Sequence, residues 1–135
     1  VYDNTMTYNP RALDVACAVL DSITPELRRN IRERGAECLK KLRALQAEMG
    51  DRITGVQGTG LLFSVALGSS RFKSYGSRSI EEYMRMHCVN VIHGGPNSLR
   101  FTPGFNIQSN ELDLLIGMVK RALREGPRVA QAAAA

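Results

Sequence analysis

The stretch between Thr24 and Gly50 constrains the fold of this chain more than any other segment. Apolar residues recur there at mostly helical spacing, at positions 27, 31, 38, 42, 45 and 49, and charged residues fill much of the remainder. Thr24 can cap the first turn, Pro25 suits the first helical position, and Gly50 is a typical C-terminal stop. The pattern therefore predicts one long amphipathic helix of about six or seven turns.

The segments around this helix predict an α+β domain. An alanine-rich helix, expected to be well buried, precedes it, and a final helix capped by Ser109 ends at Gly126-Pro127. Between them lie two strand pairs with glycine-rich turns, separated by a short helix, and residues 68–79 form a polar, exposed connection. The strands cover residues 53–57, 61–67, 89–93 and 98–102, and the short helix covers residues 80–87. Short strands with such turns predict a mostly antiparallel sheet with helices on one face.

Composition excludes several function classes. The 135 residues carry a net charge of +5, but glutamates interleave with the basic residues of the long helix, so a nucleic-acid face is not favoured. No apolar run reaches the roughly 18 residues that span a membrane.

Three cysteines without a CxxC spacing favour a reducing, cytoplasmic compartment over a disulfide framework. His87, Cys88 and His93 lack metal-ligand spacing, so no metal is expected, and Gly58-Thr59-Gly60 is typical of a turn rather than a dinucleotide fingerprint.

Four stretches, in their order and spacing, resemble the C-terminal part of the class III pyridoxal-phosphate aminotransferases, which include the ornithine, acetylornithine and 4-aminobutyrate enzymes. The stretches are a Thr-x-x-x-Asn-Pro element at residues 5–10, residues 31–35, residues 56–62, and residues 99–103 followed by 110–113. The resemblance covers residues 4–125. It implies the small C-terminal domain of a fold-type I transferase, with residues 1–24 ending the large domain and starting the interdomain helix. Residues 25–127 would then form the long helix and the small domain, and residues 128–135 a disordered tail.

The resemblance also implies two site residues. Thr5 would bind the phosphate of pyridoxal 5'-phosphate in the neighbouring subunit of a homodimer, since a hydroxyl is a good donor to a phosphate. Arg100 would bind a substrate carboxylate, or an acidic residue that gates it, because its planar guanidinium suits carboxylates. From local sequence alone, an ordinary loop or helix-entry residue is the favoured interpretation of Thr5, whereas the alternation around Arg100 fits a surface strand arginine equally well.

The Schiff-base lysine that this chemistry requires is not expected in this chain. The lysines at positions 40, 41, 73 and 120 do not match the family's position. The resemblance therefore implies that this segment is inactive alone. It would work with the N-terminal part of the enzyme, in the same or a separate chain, on a small amino donor and a keto or aldehyde acceptor. The alternative is a non-catalytic interaction module derived from the same fold, with the basic long helix as its docking surface.

Overall fold

The computed structural model describes residues 9–129, and its helices and strands follow the order that the sequence predicts. The described helices are α1 (Pro10–Asp21), α2 (Pro25–Met49), α3 (Ile80–Met86) and α4 (Ser109–Glu125). The described strands are β1 (Ile53–Thr59), β2 (Leu62–Leu67), β3 (Ile92–Gly94) and β4 (Ser98–Phe101). One 3-10 turn joins α2 to β1.

The long helix α2 has the caps and the buried stripe that its sequence predicts. The Thr24 hydroxyl accepts a hydrogen bond from the Leu27 amide at 3.2 Å, and Pro25 occupies the first helical position. Its buried face consists of Gly35, Cys38, Leu42, Leu45 and Met49. This spacing of three and four residues places one continuous apolar stripe against the rest of the domain.

The four strands form one antiparallel sheet in the order β1-β2-β4-β3. Alternate residues of the central strands are buried on one face, namely Phe63, Val65, Leu67, Leu99 and Phe101. They join one hydrophobic core with the buried residues of α2 and α4. The predicted α+β arrangement, an antiparallel sheet with helices on one face, is confirmed.

A pair of glycines brings α2 directly onto the turn between β1 and β2. A Cβ atom on Gly35 would stand 2.9 Å from the carbonyl carbon of Gly60, and closer still to its oxygen. Gly60 itself has a φ of +51°, a conformation that glycine adopts without steric cost. Any side chain at position 35 would therefore force the helix and the hairpin turn apart.

The connection between β2 and α3 is less exposed than predicted. Phe72 and Ser74 are buried within it. The amide group of Asn97 holds the segment in place: its Nδ2 donates to the carbonyls of Leu67 and Phe72, at 3.2 and 3.0 Å, and its Oδ1 accepts from the Ser74 amide at 2.8 Å. The polar sequence of this connection predicts backbone groups that bond to water. Asn97 bonds the Phe72 carbonyl and the Ser74 amide instead.

The expectation that α1 is well buried is wrong for the described residues. Every residue of α1 is exposed, and Leu13, Val15, Val19 and Leu20 are between 49 and 66% exposed. Small apolar residues permit close packing, but they do not specify which element provides it. Within residues 9–129, no other element covers this helix.

The starts of α4 and β3 also differ from the prediction, because the predicted capping hydroxyl and the predicted first strand amide bond other groups. Helix α4 is capped by Gln108 in a capping box with Glu111, whereas the hydroxyl of Ser109 donates to Glu37 on α2. Strand β3 begins at Ile92 rather than at residue 89. The Val89 amide instead bonds the Met84 carbonyl at 3.0 Å and so closes the end of α3.

Candidate functional site

Arg100 lies near the middle of the sheet face that the helices leave open. Its neighbours along β4, Leu99 and Phe101, are buried on the helix-covered face, as strand alternation predicts. Across the sheet, Ser64 of β2 and Ile92 of β3 stand directly opposite Arg100. Gln57 of β1 stands opposite Ser64 and completes a row of four side chains.

This row borders an open depression of about 620 Å³. Its lining includes Gln57, Thr59, Leu62, Ser64, Gly94 and Arg100. Among the described lining residues, Arg100 alone carries a charge, and the others are apolar groups, hydroxyls, an amide and glycine backbone. A single fixed cation among neutral polar groups favours an anionic ligand over a cation.

The guanidinium of Arg100 is not neutralised by the part of the chain that the structure describes. No ion pair and no side-chain hydrogen bond to Arg100 occurs within residues 9–129, whereas Arg34, Arg71 and Arg121 each pair with a carboxylate. The five donors of an arginine side chain form a planar fork that matches a carboxylate. Arg100 is therefore available to bind a carboxylate that reaches the open face of the sheet.

The described lysines do not line this depression. Lys41 pairs with Glu37 at 2.6 Å and with Asp113, both outside the depression. The hydrogen bonds to Asp113 and Glu37 raise the pKa of Lys41 above its usual value. An amine that attacks a carbonyl must lose its proton, so this environment is opposite to that of a nucleophile.

The other three lysines are no better placed. Lys120 bonds Glu48 at 2.8 Å on the outer side of α2 and α4, while Lys40 and Lys73 are exposed. The residues that line the depression include none of the three.

Thr5 lies outside the described residues, but the Asn-Pro pair of its element is described and starts α1. The side chain of Asn9 accepts a hydrogen bond from the Arg11 amide at 3.1 Å, and Pro10 is the first helical residue. This is the ordinary role of an asparagine cap followed by proline. The element thus places residue 5 a few residues before a helix start.

Ser64, Gln57 and Gly94 were not predicted as part of the site. Alternation along each strand indicates which residues share a face, but not which strands pair or in what register. The cross-strand neighbours of Arg100 follow only from the register of β2, β3 and β4.

The described residues also bear on metal binding and on membrane insertion. No group of three or more histidine, cysteine, aspartate or glutamate residues in positions 9–129 is arranged to hold a metal ion. Over the same part of the chain, no helix has the length and apolar character needed to cross a bilayer.

Comparison with known proteins gives consistent matches. The family model described as aminotransferase class-III matches residues 2–123. An acetylornithine aminotransferase from Ralstonia nicotianae is 31% identical over 123 residues, which cover 89% of this chain and 29% of that protein. This chain thus spans about three tenths of the length of that curated relative.

Solved structures match the fold as well. A crystal structure of acetylornithine aminotransferase from Elizabethkingia anophelis has a TM-score of 0.74 at 23% identity, covering 93% of this chain and 32% of that chain. A phospholyase from Arthrobacter, solved in complex with phosphoethanolamine, has a TM-score of 0.67 at 26% identity, covering 82% and 28%. The same fold therefore occurs in proteins whose names describe different reactions.

Proposed function

Because this chain belongs to the class-III aminotransferase family, we propose that it forms the small C-terminal domain of an enzyme that moves an amino group from an amino donor to a carbonyl acceptor. The proposed boundaries are residues 1–24 for the end of the large domain and residues 25–127 for the long helix and small domain. The remaining N-terminal part of the enzyme, in the same or a separate chain, would complete it. The family relationship and the span of about three tenths of a curated relative support a larger enzyme. The break between α1, which ends at Asp21, and α2, which starts at Pro25, supports the boundary.

The observation that carries the proposal is the position of Arg100. It combines an open sheet face, a depression of about 620 Å³ and a guanidinium without a carboxylate partner among residues 9–129. Amino acids and 2-oxo acids both carry a carboxylate, and a bidentate guanidinium contact both binds it and fixes its orientation. Arg100 would therefore bind and orient the carboxylate end of the substrate.

The family is dependent on pyridoxal phosphate, which supplies the electron sink for chemistry at the amino carbon. The residues described here do not fit that group by themselves, since the depression contains no lysine and no acid for the pyridinium nitrogen. We therefore assign the cofactor to a part of the enzyme outside residues 9–129. Thr5 would donate its hydroxyl to the cofactor phosphate of the neighbouring subunit in a homodimer. A reducing, cytoplasmic setting agrees with three cysteines that are all free.

The carboxylate role is tested by replacing Arg100 in the cofactor-loaded enzyme that contains this chain. Arg100→Gln should lower kcat/KM for a 2-oxo acid acceptor by about 10- to 100-fold, the equivalent of about 1.5–3 kcal/mol for a hydrogen bond to a charged group. An aldehyde acceptor without a carboxylate should react at an unchanged rate. Arg43→Gln, an identical change at an exposed position on α2, is the matched control. Equal losses with both acceptors would contradict the assignment.

A second experiment separates the enzyme from the interaction module. Borohydride reduction of the purified enzyme should fix pyridoxal phosphate to one lysine, which peptide mapping can locate. A modified lysine outside residues 9–129 supports the proposal. Attachment to one of the lysines at positions 40, 41, 73 or 120 would overturn the division of labour. A protein that binds no cofactor, even with its N-terminal part present, would be the non-catalytic module.

A further inference from the structure

The side chain of Arg100 rests against the backbone of β3. A Cβ atom built on Gly94 would stand 2.9 Å from Nη2 of Arg100, and 3.2 Å from both its Cζ and its Nε. Ordinary van der Waals contact between such atoms begins at about 3.5 Å. Three atoms of the guanidinium therefore occupy space that is open only because residue 94 has no side chain.

The backbone does not require glycine at this position. Gly94 is the last residue of β3, and it is not among the described residues with a positive φ. Its neighbour Gly95 has a φ of +58° and supplies the left-handed conformation of the turn. The turn alone thus explains Gly95, whereas Gly94 is explained by the arginine that lies on it.

The sheet register shows why this contact matters for the site. Gly94 pairs with Ser98, two residues from Arg100 on the same face of β4, while Ile92 stands directly opposite Arg100. The Arg100 side chain thus leans along the sheet toward Gly94, and both residues line the depression. Arg100 has no partner side chain among residues 9–129, so this backbone contact is the observed neighbour of its guanidinium on β3.

We propose that Gly94 is a positioning residue, whose missing side chain lets the Arg100 guanidinium lie on β3 at the place where it meets the substrate carboxylate. The inference rests on the proposed function of Arg100. A methyl group at position 94 would displace Nη2 by at least about half an ångström. The displaced atoms are the end of a flexible side chain, so the fold itself can accommodate the change.

The test is Gly94→Ala in the cofactor-loaded enzyme that contains this chain. KM for a 2-oxo acid acceptor should rise by about 10- to 100-fold, because small misplacements at a binding group are costly. The rate with an aldehyde acceptor, and the melting temperature, should stay close to wild type. Gly55→Ala is the matched control, since it also lies on the open face but its Cβ would meet Ala66 at an ordinary 3.6 Å.

A double-mutant cycle with Arg100→Gln distinguishes a failure of the Gly94 inference from a failure of the proposed function. If Gly94 acts through Arg100, Gly94→Ala should have no further effect on KM once Arg100 is glutamine. An unchanged KM in Gly94→Ala, with the Arg100 effect intact, would overturn the inference and leave the proposed function standing. If Arg100→Gln itself leaves the carboxylate preference unchanged, the proposed function fails first. Should Gly94→Ala lower the melting temperature and affect both acceptors equally, its role is structural and the inference is also overturned.

Discussion

Replacing glycine by alanine should change the stability of the domain in opposite directions at Gly35 of α2, which contacts the turn between β1 and β2, and at Gly117 of α4. Gly35 and Gly117 both lie inside helices, where alanine is intrinsically better than glycine by about 1 kcal/mol. A Cβ on Gly117 would meet no atom within 4 Å. Gly117→Ala should therefore raise the free energy of unfolding by about 0.5–1 kcal/mol.

Gly35→Ala should do the reverse. Its Cβ would stand 2.9 Å from the Gly60 carbonyl carbon and would overlap the oxygen, so α2 and the hairpin turn must separate by about 1 Å. Overpacking of this kind costs about 1–3 kcal/mol, and the upper part of that range applies because both partners are backbone. After the gain in helix propensity is subtracted, the free energy of unfolding should fall by about 1–2 kcal/mol.

Urea unfolding followed by far-UV circular dichroism measures both variants against the wild type. The slope of the transition should stay the same, so that the midpoints report stability alone. Gly117→Ala serves as the internal control for propensity. A Gly35→Ala protein as stable as the wild type would mean that α2 does not lie on the Gly60 carbonyl.

Three further predictions follow from buried or paired groups. Asn97→Ala removes three hydrogen bonds and should lower the free energy of unfolding by about 2–3 kcal/mol in the same urea assay; a change below about 0.5 kcal/mol would contradict this role. Burial raises the pKa of the Cys38 thiol to about 11, so Cys38 of the native protein should resist a thiol reagent at pH 8, and rapid modification of Cys38, located by peptide mapping, would be inconsistent with burial. The hydrogen bond from Lys41 lowers the pKa of Glu37, so its contribution to stability is present above the unfolded carboxyl pKa of 4.5 and is lost as pH falls through the lower folded value. The melting temperature of Glu37→Gln should therefore depend less on pH below about 4.5 than that of wild type, and identical acid profiles would exclude the pair as a source of stability.

Local signals predicted what depends on neighbours in sequence. The caps and stripe of α2 and the alternation that places Arg100 and Leu99 on different faces of β4 are set within a few residues, and the structure confirms them. The predicted glycine turn at residues 58–60 is confirmed only at Gly60, because Gly58 and Thr59 belong to β1 and pair with β2. Each of these features follows from backbone preferences and the period of the element.

Features that depend on distant partners could not be read in this way. The burial of α1 depends on a packing partner that the sequence of α1 cannot identify, and the described residues do not provide such a partner. Ser109 and Gln108 are both able to cap α4, and the choice follows from Glu37, which is 72 residues away and engages the Ser109 hydroxyl. The position of Gly94 beside Arg100 likewise follows from strand register rather than from the turn sequence.

Asn97 also couples the segment between β2 and α3 to the assembly of the sheet. It lies in the turn between β3 and β4, yet its side chain bonds Leu67, Phe72 and Ser74, which precede that turn in the chain. The three bonds to Asn97 can form only once β4 has docked beside β2, so we expect them to form later in folding than local bonds of the segment such as that from the Phe72 amide to the Gly68 carbonyl. In native-state hydrogen exchange, the amide of Ser74 should open together with β4. Ser74 lies in a connection between β2 and α3, but its exchange would then report on the cooperative unit that contains the sheet.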